Sequence, residues 1–258
     1  MWEKELAVTR RAAEEAGDIL MSMFGRLKGI NKKGEIDLVT EADIRSEEAI
    51  LGIIRENFPE DGILTEESGE IDNHSERLWI IDPLDGTTNY AHTFPFFAVS
   101  IALKVKKEIV AGIIFNPLIS ELFEAVRGKG AFLNGSPIKV SQTTALKESL
   151  LVTGFPYTIY KDHKGVIDIF TRMLTRAQGI RRLGAASIDL CYVASGRFDG
   201  FWEQGLNPWD TAAGGLIVQE AGGMASDYQG EPYSPFQGTI VAANPHIFKE
   251  MLKVLNPE

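Results

Sequence analysis

The stretch that decides the reading is Trp79-Ile80-Ile81-Asp82-Pro83-Leu84-Asp85-Gly86-Thr87-Thr88-Asn89-Tyr90. Three apolar residues read as a buried strand ending at Ile81, and two aspartates then fall three positions apart around a proline. Pro83 fixes its own φ and pushes Asp82 into extended backbone. Asp85 can then turn back and present its carboxylate beside that of Asp82. Gly86 permits a tight turn or the close approach of a ligand. Two carboxylates a few ångströms apart repel unless a proton or a cation lies between them.

Three further acidic positions fall at the ends of expected elements: Glu66-Glu67 after I-L-T, Asp43 at a helix start, and Asp210 in N-P-W-D-T-A-A-G-G. Each has a plain explanation by itself. Asp43 or Asp210 could complement a helix N-terminus for about 0.3–1 kcal/mol. Asp82 before a proline could be a turn residue, and Glu66-Glu67 could be solvated. Four such positions together favour a shared site. No Cys/His cluster has ligand spacing, which argues against zinc. All-oxygen ligation suits a hard cation such as Mg²⁺, which keeps several waters and bridges to phosphate.

Outward from that stretch, 258 residues allow one large domain or two modest ones, and 44% hydrophobic with 24% charged residues is enough for a real core. The net charge of −10 disfavours nucleic-acid and anionic-membrane binding, which need a basic field. A single cysteine, Cys191, excludes an internal disulfide, and its apolar helical context predicts an inert buried thiol. The N-terminus carries charges where a signal peptide would be apolar. No apolar run approaches the ~20 residues of a membrane span. The expectation is a soluble, cytoplasmic protein. His74, His92, His163 and His246 are scattered, with no triad context.

Apolar spacing predicts a helix over residues 2–24, ended by Gly25, and a second after Thr40, with Asp43 completing a capping-box pattern. Strands are expected over residues 63–66, 78–81, 97–103, 109–115 and 122–126, and Asn134-Gly135 marks a hairpin. Beyond about residue 145, strands (150–153, 180–183, 198–202, 239–243) alternate with helices (164–176, 185–195, 209–221, 245–255). The pattern predicts a mixed α/β chain in two packed halves, 1–143 and 144–258, joined without a flexible linker.

D-P-L-D-G-T-T-N-Y (82–90) and W-D-T-A-A-G-G-L-I-V-Q-E-A-G-G (209–223) resemble the two signatures of the inositol monophosphatase family. G-E-I-D-L-V-T-E-A-D (34–43) and L-T-E-E-S-G (64–69) also match it, in order and at family spacing, so the resemblance spans essentially the whole chain. It implies a layered α-β-α-β-α sugar-phosphatase architecture. It places the metal ligands at Glu66, Asp82, Asp85, Asp210 and the Leu84 carbonyl, for two or three Mg²⁺ ions, with Mn²⁺ as a substitute. A weakly held third ion near Glu66 is proposed in the family to carry the attacking water, and Asp43 with Thr87 matches the pair that orients and deprotonates it. Gly86 and Thr87 are implied to face phosphate oxygens with backbone N–H groups.

The same resemblance assigns Arg181, Gly184, Ala185 and Ala186, in R-R-L-G-A-A-S-I-D-L-C, to the alcohol-binding pocket. Glu203 matches an acceptor of substrate hydroxyl bonds. The implied activity is Mg²⁺-dependent, lithium-sensitive hydrolysis of a small phosphorylated polyol or sugar, foremost inositol 1-phosphate. Fructose 1,6-bisphosphate is the runner-up and histidinol phosphate a further family substrate. The resemblance also implies a homodimer. A different class of function, a regulatory protein-binding module, is raised by bacterial relatives with roles in transcription complexes. The completeness of the carboxylate set in this chain argues against it as the main function.

Overall fold

The computed structural model describes residues 2–26, 30–32, 38–71 and 73–257. In chain order the elements begin with helix α1 (Glu3–Met23), a small hairpin of β1 (Ile30–Lys32) and β2 (Leu38–Thr40), and helix α2 (Glu41–Asn57). Strands β3 (Gly62–Thr65), β4 (Gly69–Ile71) and β5 (Arg77–Asp85) lead into the short helix α3 (Thr87–Ala91). A meander follows: β6 (Ala98–Val105), β7 (Glu108–Asn116), β8 (Glu121–Val126), β9 (Ala131–Leu133) and β10 (Ser136–Pro137). The remainder runs β11 (Leu150–Thr153), α4 (Lys164–Leu174), β12 (Gly179–Arg181), α5 (Ala186–Ala194), β13 (Gly200–Gln204), α6 (Pro208–Glu220), β14 (Met224–Ser226), β15 (Thr239–Ala243) and α7 (Phe248–Leu255). Residues 34–37 of the G-E-I-D-L-V-T-E-A-D motif lie outside the described residues.

One sheet has eight strands in the order β10-β9-β8-β7-β6-β5-β3-β4, antiparallel except for β3 beside β5. The other has five, β12-β11-β13-β15-β14, parallel through β13 and antiparallel beyond it. Three apolar clusters fill the spaces around the two sheets. One joins Ala12, Ala16 and Leu20 of α1 and Ile50 and Ile54 of α2 to Trp79, Ile81, Ile101 and Ile113 of the large sheet. Alternate residues of the same strands, Ile80, Ala102 and Ile114, face a middle layer of α5 and α6, where Val152, Phe201 and Ile240 of the small sheet also pack. The opposite face of the small sheet, with Leu151, Trp202 and Val241, meets Met173 of α4 and Met251 of α7. The period-2 alternation of the strands is thus spent on two buried faces each. The result is the α-β-α-β-α layering.

Two details aim the chain at one point. α2 starts where Thr40 caps it: the Thr40 hydroxyl accepts from the Ala42 N–H (3.1 Å), and Asp43 accepts from the Thr40 N–H (2.9 Å). In the middle layer, α6 lies against the large sheet at Gly112, where a Cβ would stand 2.9 Å from the Ala213 Cα.

β5 differs from the sequence expectation. It does not end at Ile81 but continues to Asp85, with a bulge that sets Asp82 opposite Ser100 and Asp85 opposite Ala98. Pro83 has no N–H to give to the ladder and is tolerated where the ladder is interrupted. Residues three apart on a regular strand point to opposite faces. The one extra residue of the bulge restores the phase. Asp82 and Asp85 therefore share the face toward the middle layer.

Candidate active site

Four segments meet above the bulge. α2 supplies Asp43, Ser46 and Glu47, all buried. The Ser46 hydroxyl donates to the Pro83 carbonyl (2.7 Å), holding the bulge from behind. The Thr87 hydroxyl lies 3.0 Å from both Asp43 Oδ1 and the Leu84 carbonyl. The other Asp43 oxygen accepts from the Thr40 hydroxyl (2.6 Å) and its N–H. Burial raises the Asp43 pKa above the ordinary carboxylate value, and the Thr40 and Thr87 bonds pull it partly back.

Asp82, Asp85, Glu66 and Asp210 line one cleft, together with Leu84, Gly86 and Thr87. Asp82 accepts from the Leu84 N–H (3.0 Å). One oxygen of Asp85 accepts from the Ser187 N–H (2.7 Å) and from the Ser187 hydroxyl, at the first turn of α5. Asp210, third residue of α6, accepts from the Asn207 N–H (2.6 Å), so it caps that helix as well as facing the cleft. Burial, then the charges of Glu66, Asp85 and Asp210, push Asp82 well above its ordinary pKa. Asp85 is raised to about 6 by burial, against the opposing Ser187 bonds. Asp210 is raised by burial and then by Asp85.

Mutual repulsion among carboxylates in one cleft is the signature of a cation site. Among the described residues no three His, Cys, Asp or Glu side chains are gathered into a finished ion cage. Asp82, Asp85 and Asp210 each turn one oxygen to a backbone N–H, of Leu84, Ser187 and Asn207 respectively. The donor set fits a hard divalent ion: every candidate ligand is an oxygen, and Leu84, between the two aspartates in sequence, lines the same cleft.

Gly86 joins the bulge to α3 with φ +95°, a conformation that favours glycine. A Cβ there would also approach the Phe96 carbonyl to 3.0 Å. Gly184, Ala185, Ala186 and Glu203, which the family resemblance assigns to the alcohol pocket, line the same cleft. Burial raises Glu203 to about 8, opposed by nearby Arg182. Of the arginine pair it is Arg182 that lines the cleft. Arg181, assigned there by the family resemblance, ends β12 outside the cleft lining and donates to the neighbouring Ile180 carbonyl (3.0 Å).

Three residues missed in the sequence support this arrangement. Glu47, buried on α2, accepts from the Thr65 hydroxyl (2.5 Å), the Glu67 N–H (3.1 Å) and the Ser68 hydroxyl, holding the turn that carries Glu66. Asn89 donates to the Phe96 and Leu183 carbonyls (2.8 Å each), tying the aspartate segment to the Arg182–Ala186 wall. Ser187 holds Asp85. The one available signal was for Glu47, four residues after Asp43 and hence one turn along the same helix face.

The sequence model of the inositol monophosphatase family matches residues 1–256. A Nus factor SuhB of Pseudomonas aeruginosa is 43% identical, covering 98% of this chain and 96% of that protein. An inositol-1-monophosphatase of Synechocystis sp. is 45% identical, covering 97% and 88% respectively. In three dimensions the chain is similar to the crystal structure of the extragenic suppressor protein suhB from Bartonella henselae, with TM-score 0.95, 41% identity and 99% of each chain covered.

Proposed function

We propose, given that the chain belongs to the inositol monophosphatase family, that it hydrolyses small phosphate monoesters of polyols, with inositol 1-phosphate as the foremost substrate. The family is metal-dependent; for this chain the reading is two or three Mg²⁺ ions held by Glu66, Asp82, Asp85, Asp210 and the Leu84 carbonyl. When bound, such ions neutralise the phosphate charge and make a water more acidic. The observation that supports the reading is the hydrogen bond between Thr87 and Asp43 beside four carboxylates in one cleft.

In this reading Asp43, buried and raised in pKa, receives the proton of the attacking water through the Thr87 hydroxyl. The Gly86 and Thr87 N–H groups orient the phosphate oxygens. The Glu203 carboxyl group meets hydroxyls of the leaving alcohol, and the glycine–alanine wall at 184–186 leaves room for the ring. No side-chain nucleophile is needed, and Cys191 is buried with its thiol pushed well up by desolvation.

A panel of inositol 1-phosphate, fructose 1,6-bisphosphate and histidinol phosphate, assayed for released phosphate with Mg²⁺ and with Li⁺ added, tests the reading. The expected order puts inositol 1-phosphate first, with Li⁺ inhibitory. No hydrolysis of any ester with Mg²⁺ or Mn²⁺ would remove the enzyme reading. A second reading, a regulatory protein-binding role, is favoured by the similarity to proteins named Nus factor SuhB. A pull-down with the Asp85→Asn protein separates the two, since binding then survives without turnover.

A further inference from the structure

β11 and β13 are parallel neighbours, with Thr153 opposite Trp202 and the Thr153 hydroxyl donating to the Trp202 carbonyl (2.6 Å). One residue further on, Gly154 meets Glu203, and both line the cleft. A Cβ built on Gly154 would stand closer to both carboxylate oxygens of Glu203 than real Cβ contacts come. The loops beyond are pressed together as well: at Gly205, φ +79°, a Cβ would lie 2.7 Å from the Pro156 Cβ. Glu203 is thus a buried acid whose head group rests directly on the bare Cα of Gly154.

We infer that Gly154 is a specificity-determining residue: its missing side chain forms the seat that fixes the Glu203 carboxyl group at the alcohol end of the cleft. The inference rests on the phosphatase reading above. Gly154 is not in the positive-φ region, so alanine suits its backbone. The group that must yield is the far end of a side chain with three rotatable bonds, which moves at small cost. Gly154→Ala therefore displaces the acceptor for substrate hydroxyls without unfolding the chain. A pure packing role would lower stability and treat all substrates alike.

The test compares kcat/KM for inositol 1-phosphate with kcat/KM for p-nitrophenyl phosphate, whose leaving alcohol has no further hydroxyl. In Gly154→Ala this ratio is expected to fall about tenfold or more, the loss typical of one hydrogen bond to a charged or strongly polar group. In a Glu203→Ala background the same substitution should have no further effect on the ratio, because the clashing carboxylate is gone. An unchanged ratio in the single variant, or additive effects in the double variant, overturns the inference. If the wild-type protein hydrolyses neither ester, the phosphatase reading falls. The seat is then decided by a crystal structure of Gly154→Ala: a displaced Glu203 head group upholds it, and an unmoved one refutes it.

Discussion

Asp85 shows how one residue serves shape and charge separately. Its Oδ2 takes two donors from Ser187, and an asparagine oxygen can accept both. Its negative charge, by contrast, is repelled by Glu66. Asp85→Asn should therefore preserve the fold while removing a charged ligand. We expect kcat/KM with saturating Mg²⁺ to fall by about 10³-fold or more, from lost charge stabilisation. The melting temperature in EDTA should stay the same or rise. Turnover within tenfold of wild type would contradict the assignment. Asp85 was legible because a motif carried it. Arg181 and Arg182 could not be told apart, because β12 ends between them and the sequence alone does not say which of two adjacent arginines at a strand end turns to the cleft.

At the scale of elements, α2 does the positioning. Within five residues it presents Asp43 to Thr87, Ser46 to the Pro83 carbonyl and Glu47 to the turn after β3. The helix itself was readable from its capping box and apolar period. Glu47 had only its spacing from Asp43 to mark it, since a glutamate in R-S-E-E otherwise reads as solvated surface and its three donors lie 18 to 21 residues away. The bulge in β5 was likewise hidden, because apolar period marks a strand but not where its register slips. Glu47→Ala strands three donors around Glu66, at a cost of about 1–3 kcal/mol for each that stays buried. The expected result is a lower melting temperature and a Mg²⁺ activation curve shifted several-fold to higher concentration. Glu47→Gln, which keeps an acceptor, should recover most of that shift. Altered stability with an unmoved Mg²⁺ curve would reduce Glu47 to a structural role.

Across the whole molecule, the layering converts a sequence property into a pH dependence. Two sheets facing a shared helical layer bury the acids that the bulge, α5 and α6 bring together. Among the described residues, the carboxyl groups of Asp43, Asp82, Asp85, Asp189, Glu203 and Asp210 are all pushed above their ordinary values, with burial as the first cause. A carboxyl group raised in the folded state holds its proton more tightly there than in the unfolded chain. Its contribution is fully present below the unfolded value near pH 4 and is lost as pH rises through the folded value. For Asp85 and Glu203 those values are about 6 and about 8. Protein stripped with EDTA should thus melt at a lower temperature at pH 8.5 than at pH 5. Mg²⁺ binds the deprotonated form, so it should restore more stability at pH 8.5 than at pH 5. Glu203→Gln should flatten the upper part of the EDTA curve, since that group no longer titrates. Melting curves followed by circular dichroism at half-unit pH steps measure all three. A metal-free protein that grew more stable from pH 5 to 8.5 would mean that the acids do not share a crowded, desolvated cleft.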